Sequence, residues 1–193
     1  MTVSPWKSLL QAAIRRNRSS RAARFLQLAT VDAESRPHNR TVVFRGFLPE
    51  TDLIQLATDR RSEKIEQLQH NPHAAICWYF DKTREQFRLA GAIETVTADT
   101  EDDRRQNARY ALWSQLSERA KLLWYWPQPK AAREPAIAFL ETLPEQSPVP
   151  PETFVLLLFR AEEVDRLELL GDPQNRSLLM RTDSGWIEQS VNP

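Results

Sequence analysis

Only four glycines occur in the 193 residues of this chain, and that scarcity removes one common way of holding a phosphate. Glycine-rich loops bind anions by letting backbone N–H groups approach closely. An anion site here must therefore be built from side chains. The single cysteine, Cys77, excludes an internal disulfide. Within "AAICWYF" it reads as a small apolar residue of a buried strand. The three histidines, His38, His70 and His73, show no helical metal-ligand spacing and read as surface or turn residues. Neither sign of charge is in excess, with 26 Lys+Arg against 26 Asp+Glu, so no global field draws the chain to nucleic acid or to a membrane surface. No apolar run approaches the roughly 20 residues of a transmembrane helix, and no secretory leader is visible. A soluble, cytoplasmic protein is the expectation. Nucleophilic hydrolysis lacks its usual signatures, since neither a G-x-S-x-G elbow nor a Cys/His arrangement is present.

The elements that are present come in a mixed order. Ser4 and Pro5 suit a helix start, and Trp6, Leu9, Leu10, Ala13 and Ile14 recur on one face of the helix that follows. Segments with strand character then span 25–32, 40–48, 53–58, 74–80 and 85–96. The short turns between the first of them favour an antiparallel meander or barrel. A short helix capped by Ser62 runs to the stop at Asn71-Pro72, with Ile65 and Leu68 facing inward. Residues 100–124 read as a helix broken near Ser117, with Leu112, Leu116, Leu122 and Leu123 as its apolar surface. Its acidic start, Glu101 to Asp103, suits the helix dipole. Seven prolines mark 127–151 as a loop region with a short helix around 136–140. The closing segments, "TFVLLLFRA", "RLELLG", "SLLMRT" and "WIEQSV", are too few for a separate core and should complete the first sheet. A hairpin turn is expected at "TDSGW", with Gly185 at positive φ. These segments predict a mainly β chain with flanking α-helices, an α+β class, in one domain over 1–193.

The stretch "TDRRSEK", 58–64, crowds Arg60, Arg61 and Lys64 into the start of a helix. Cations placed there oppose the helix dipole, which calls for a compensating anion. Such an anion would meet helix N–H groups, the hydroxyls of Thr58 and Ser62, and charged side chains able to make strong hydrogen bonds. The bland alternative is a solvated helix start. Nucleic-acid binding is disfavoured, because no aromatic side chains interleave with this basic run.

Further motifs lie at matching separations. "RTVVFR" (40–45) brackets an apolar strand with arginines, "TDRRSEK" opens the helix, "NP" stops it, an apolar strand follows, and "REQ" (84–86) begins the next. This ordered set, over about 25–96, resembles the FMN-binding split-barrel family that includes pyridoxamine 5′-phosphate oxidase. "PQNRSLLMRTDSGW" near the C-terminus adds a second match. The resemblance implies an FMN-binding split β-barrel. It implies that Arg40, Thr41, Val42, Val43, Phe44 and Arg45 run along the flavin and that Ala57 and Thr58 touch it. It further implies that Lys64, with Ser62, binds the phosphate, and that Gln86, Gln128 and Arg176 hydrogen-bond the cofactor. Arg40 and Arg45 differ in strand parity, so they should serve different parts of the ligand unless a bulge intervenes. A homodimer is implied, with FMN at the subunit interface and the helical region 101–124 and the outer barrel face as interface elements. The chemistry implied is FMN-dependent oxidoreduction of a small molecule, the alternative being a non-enzymatic FMN carrier or sensor.

Departures from the family pattern are equally specific. Where the oxidases carry a second basic residue just before the helix lysine, this chain has Glu63, and Arg61 stands two positions away as a substitute. The R-x-H triplet that holds the vitamin substrate is replaced by Asp172 and Gln174, and the tyrosine and arginine of the helical substrate site are not evident in "ALWSQLSERAKLLWYW". An aspartate repels a substrate phosphate, so oxidation of pyridoxamine phosphate is not expected. Trp113, Trp124, Trp126 and Trp186 read first as core or interface residues.

Overall fold

The computed structural model describes residues 4–134, 139–144 and 148–193. Helix α1 (Pro5–Arg16) starts with Pro5 in its first turn and buries Trp6, Leu10 and Ala13, as their spacing requires. Ser4 occupies the N-cap position, but its hydroxyl is turned to Asp52 and caps no backbone N–H. A 3-10 turn (Arg21–Arg24) leads into strands β1 (Phe25–Val31), β2 (Pro37–Val43) and β3 (Ile54–Asp59). Helix α2 (Glu63–His70) is followed by β4 (His73–Phe80) and β5 (Glu85–Val96). Two helices come next, α3 (Asp103–Ser114) and α4 (Glu118–Lys121), the latter running into a 3-10 turn (Leu122–Tyr125). The chain then closes with β6 (Phe154–Glu168), β7 (Asn175–Thr182) and β8 (Gly185–Val191).

All pairings are antiparallel, in the order β2-β1-β4-β5-β6-β7-β8, with β3 also on β6. The β2 ladder ends at Val43, short of the expected strand to residue 48, because the chain changes partner there. Phe44 N–H donates to the Arg24 carbonyl, whereas Arg45 N–H donates to that of Gln55. Residues 44–47 thus lean on β3 and close a barrel of six strands, leaving the β7–β8 hairpin as an extension. Gly185 turns that hairpin at φ 131°. The two strands expected at "TFVLLLFRA" and "RLELLG" are one, β6, whose first half pairs β3 and β5 and whose second half pairs β5 and β7. The polar "RAEEVD" between them is a bulge rather than a turn, with the register shifting opposite Ala90 and Gly91.

The barrel interior is filled by Leu26, Leu28, Ile76, Trp78, Phe80, Phe87 and Phe159, closed at one side by Ile65 and Leu68 of α2. A second cluster packs α3 and the 3-10 turn on the other face of β6, around Trp113, Trp124 and Phe154. The helical break falls at Ser117, whose hydroxyl accepts from Ala120 N–H. Leu112 and Leu116 are buried as expected, but Leu123 is exposed. Cys77 is half-buried on the outer face of β4 beside Ala75 and Tyr79, whereas Ile76, Trp78 and Phe80 point inward. The core role expected for it goes to its neighbours through strand alternation. The helix expected at 136–140 falls mostly on residues outside those described. Among the described residues, no helix is long and apolar enough to cross a membrane.

Candidate functional site

The loop from β3 into α2 brings three of the predicted residues together. Lys64 Nζ donates to Thr58 Oγ1 at 2.8 Å and to Ser62 Oγ at 2.5 Å. Ser62 has the backbone geometry of an N-cap, yet its hydroxyl serves the lysine and caps no backbone N–H. Burial, with the nearby Arg40 guanidinium adding to it, pushes the Lys64 ammonium down to about 8. Among the described residues Lys64 takes part in no ion pair.

Arg40 approaches the same place from β2. It sits opposite Leu28 on the inner face and donates to the Leu28 carbonyl, to Thr30 Oγ1 at 2.5 Å and to Gln67 Oε1 at 2.9 Å. All three acceptors are neutral. Burial lowers this guanidinium too, against the pull of Glu63.

Arg61, the substitute cation expected at the phosphate, is otherwise engaged. Its guanidinium holds Asp59 at 2.7 and 2.9 Å and donates to the Trp126 carbonyl at 2.9 Å. The hydrogen bond to Asp59 raises it above its ordinary value. Glu63 pairs instead with Lys130, at 2.5 Å, from the proline-rich segment that follows the helices.

That segment roofs a cavity of about 560 Å³ lined by Thr58, Ser62, Lys64, Trp126, Gln128 and Lys130, among others. Gln128 therefore shares this space with Lys64, and no glycine lines it. Trp124 fixes the floor by donating from Nε1 to the Thr58 carbonyl at 2.9 Å. Trp126 donates from Nε1 to the Leu140 carbonyl at 3.1 Å, holding the roof to itself. Sequence reasoning missed Lys130, Thr30 and Gln67. Nothing in spacing marks them, because each enters through a contact 10 or more residues distant.

The remaining predicted residues lie elsewhere. Strand alternation sends Thr41 and Val43 to the outer face of β2, whereas Val42 and Phe44 pack against the core. Arg45 leaves the ladder and is lowered by burial and by the charge of Arg24. Ala57 turns away from Thr58 and packs on the second cluster. Gln86 and Arg176 flank one residue, Leu167, from the two sides of β6. Arg176 grips Asp165 at 2.7 and 2.9 Å, and Arg88 approaches the same carboxylate at 3.4 Å. Gln86 Oε1 lies 3.9 Å from Cys77 Sγ.

These two groups are far apart along the strand that carries them. Thr58 pairs with Val155 near the start of β6, and Gln86 and Arg176 meet Leu167 near its end. At about 3.3 Å per residue the two points are separated by on the order of 40 Å of strand path. Of the fourteen predicted residues, one chain brings Thr58, Ser62, Lys64 and Gln128 to the α2 cavity with Arg40 beside Lys64, and places Gln86 and Arg176 together on the outer sheet face. Among the described residues no His/Cys/Asp/Glu group could hold a metal ion.

The chemistry of the cavity group fits a phosphate. Lys64 at the cavity and Arg40 beside it are two partly desolvated cations whose present acceptors are all neutral, and Thr58 and Ser62 add two hydroxyls at Lys64. Desolvated charges of this kind are costly unless an opposite charge arrives.

Residues 3–97 match the family model described as the pyridoxamine 5′-phosphate oxidase, FMN-binding domain. The chain is 40% identical over 196 residues to pyridoxine/pyridoxamine 5′-phosphate oxidase 2 of Arabidopsis thaliana, covering 99% of this chain and 98% of that protein. Among solved structures it resembles a pyridoxamine 5′-phosphate oxidase-related, FMN-binding protein from Nostoc punctiforme, with a TM-score of 0.95 and 45% identity over 100% of both chains. PhzG from Burkholderia lata, solved with tetrahydrophenazine-1-carboxylic acid, shares the fold at a TM-score of 0.77 and 17% identity, covering 100% of this chain and 94% of that one.

Proposed function

The chain belongs to the pyridoxamine 5′-phosphate oxidase family of FMN-binding proteins, and we propose that it is an FMN-dependent oxidoreductase whose substrate is a small molecule other than pyridoxamine 5′-phosphate. The observation that carries the cofactor reading is the half-buried pair of cations, Lys64 and Arg40, which meet only neutral acceptors. A phosphate monoester supplies the missing charge. Lys64, Arg40, Ser62 and Thr58 would hold it, and Gln128 in the cavity roof would orient the rest of the ligand.

When bound, FMN supplies the electron chemistry. The protein's own part is to bind, orient and exclude water. Trp126 and the roof segment cover the cavity, and Trp124 fixes the Thr58 backbone beneath it. The Gln86/Arg176 group complements the cavity only across a symmetric interface, so the active form is proposed as a homodimer with each flavin between two copies. The outer face carrying Arg88, Asp165 and Cys77 would then be covered by the partner.

The substrate reading rests on Asp172 and Gln174. Both stand in the link from β6 to β7, Asp172 exposed, where a phosphate-bearing substrate would meet a carboxylate. The carrier or sensor alternative keeps the same cofactor group without turnover.

The first test is FMN titration of the purified chain and of a Lys64→Ala, Arg40→Ala double variant. Saturable binding in the first and its loss in the second is expected. Absence of binding in the wild type would end the cofactor reading. Bleaching of the bound flavin by an added compound then separates enzyme from carrier. Pyridoxamine 5′-phosphate is the compound to try first, with no bleaching expected.

A further inference from the structure

The most informative unexplained contact joins Glu63, the first residue of α2, to Lys130 in the cavity roof. The pair spans 67 residues of sequence, and both side chains remain substantially exposed, at 52% and 73%. An exposed ion pair contributes little to folding. Its consequence lies in where it puts the Lys130 ammonium. Lys130 lines the 560 Å³ cavity with Lys64 and Ser62, and also an adjoining space of about 260 Å³ bounded by Arg61, Ser62 and Glu63. Its backbone adopts φ 64°, a left-handed conformation that a lysine seldom takes without a constraint.

We propose that Lys130, held over the start of α2 by Glu63, is the second cation of the phosphate site, in the role that Arg61 is too committed to fill. The proposal rests on the reading that this cavity receives the FMN phosphate, and it deepens that reading by bringing the roof into the anion site. Three observations support it. Arg61 already binds Asp59 and the Trp126 carbonyl, so freeing it would break an ion pair and unpin the roof. Lys130 is near enough to Lys64 for their charges to oppose each other. Finally, Arg40 and Lys64 against Glu63 leave a single net positive charge, whereas a phosphate monoester carries about −1.5 to −2 near neutral pH. Lys130 completes the match.

Glu63 then acts as a positioning residue, and the sign of its effect on FMN binding distinguishes this role from simple repulsion. A carboxylate that merely faces a phosphate weakens binding, so Glu63→Gln would tighten it. A carboxylate that holds Lys130 in place strengthens binding, so Glu63→Gln would weaken it. The experiment measures FMN affinity of the full chain by quenching of flavin fluorescence. It compares wild type, Lys130→Gln, Lys130→Arg, Glu63→Gln, the Glu63→Gln, Lys130→Gln double variant and Arg61→Gln, with a thermal melt of each to verify folding.

The expected results are a loss of about tenfold for Lys130→Gln, near-wild-type affinity for Lys130→Arg, and a loss of about threefold for Glu63→Gln. In the Lys130→Gln background, Glu63→Gln should tighten binding, because only repulsion is left. Tighter binding by the Glu63→Gln single variant, or wild-type affinity in Lys130→Gln alongside a large loss in Arg61→Gln, overturns the proposal while leaving FMN as the ligand. Wild-type protein that takes up no FMN overturns the cofactor reading instead. The same variants are then titrated with inorganic phosphate, followed by tryptophan fluorescence, and the same signs decide.

Discussion

Lys64 and Thr58 meet at 2.8 Å between the start of α2 and the end of β3, ammonium to hydroxyl, with Ser62 completing the contact from the other side. A lysine satisfied by hydroxyls alone keeps its charge at the expense of desolvation, and it is the group in the cavity most responsive to pH near neutrality. Arg40, its neighbour, remains charged throughout.

Cofactor affinity should therefore fall in alkaline solution. The Lys64 ammonium begins to lose its proton near pH 8, whereas the FMN phosphate stays dianionic. Binding of the anion favours the charged lysine, so affinity is expected to drop by up to about tenfold per pH unit beyond that point. Isothermal titration between pH 7 and 10 measures it. Lys64→Arg should give a flat profile over the same range, and a flat profile in the wild type would count against Lys64 as the phosphate ligand.

Stability of the ligand-free protein should move the opposite way through the same group. Lys64 is depressed on folding, so between about 8 and 10.5 the unfolded chain binds more protons than the folded one. Raising the pH through that window stabilises the fold by relieving a desolvated charge. Urea unfolding of wild type against Lys64→Met at pH 7.5 and 9.5 isolates the effect, and the difference between the two proteins should narrow at the higher pH.

Glu85 fastens α1 to the barrel. It is buried at 3% exposure, with Arg16 from the helix end at 2.5 Å and Arg166 from β6 at 2.6 Å. Burial alone would push this carboxyl up, but the hydrogen bonds from Arg16 and Arg166 outweigh it and hold it below the ordinary value. Its contribution is present above the unfolded pKa and is lost as the pH falls through the depressed folded one. Glu85→Ala leaves Arg166 with Glu168 as its remaining carboxylate and should cost about 1–3 kcal/mol in urea denaturation.

Arg109 is buried at 2% exposure and donates from Nε to the Phe154 carbonyl at 2.9 Å and from Nη2 to that of Pro151 at 2.6 Å. It anchors the point where the proline-rich segment re-enters the sheet. Arg109→Met should destabilise by about 1–3 kcal/mol, because the Phe154 carbonyl loses its buried guanidinium donor while the Pro151 carbonyl keeps only the Phe154 N–H. Arg109→Lys should recover little, since an ammonium cannot span both acceptors with the planar fork of a guanidinium. Recovery to wild-type stability would show that charge alone is what matters there.

Gly91 marks the β5 side of the bulge, and a Cβ added to it would lie 2.0 Å from the Arg160 carbonyl oxygen. Backbone on both strands must shift to admit it. Gly91→Ala is expected to cost about 3 kcal/mol or more, seen as a large fall in melting temperature. A melt within a few degrees of wild type would mean that the bulge can relocate.

Much of this architecture is legible in the sequence. Trp6, Leu10 and Ala13 announced the buried face of α1, and β5 has the boundaries its pattern implied. The cation-rich start of α2 pointed to an anion, and Thr58, Ser62, Lys64 and Gln128 do share a cavity. What stayed hidden has common physical causes. "RAEEVD" looks like a turn because four of its six residues are charged, yet a bulge carries the strand through them. "AAICWYF" is apolar at every position, so alternation could not say that Cys77 faces out. Arg61 resembles a free phosphate ligand until Asp59 is seen to hold it, and Lys130 reaches the site only by crossing from another part of the chain.

The length of β6 has a genetic consequence. Because the Lys64 group and the Arg176 group sit at opposite ends of that strand, a symmetric pair of chains would build each flavin site from one group of each copy. A chain broken at Lys64 and another broken at Arg176 would each be inactive alone. Paired together, they would place both lesions in one site and leave the other site wholly wild type. Co-expression of two dead alleles should then restore about a quarter of the normal flavin sites, as random pairing of subunits dictates.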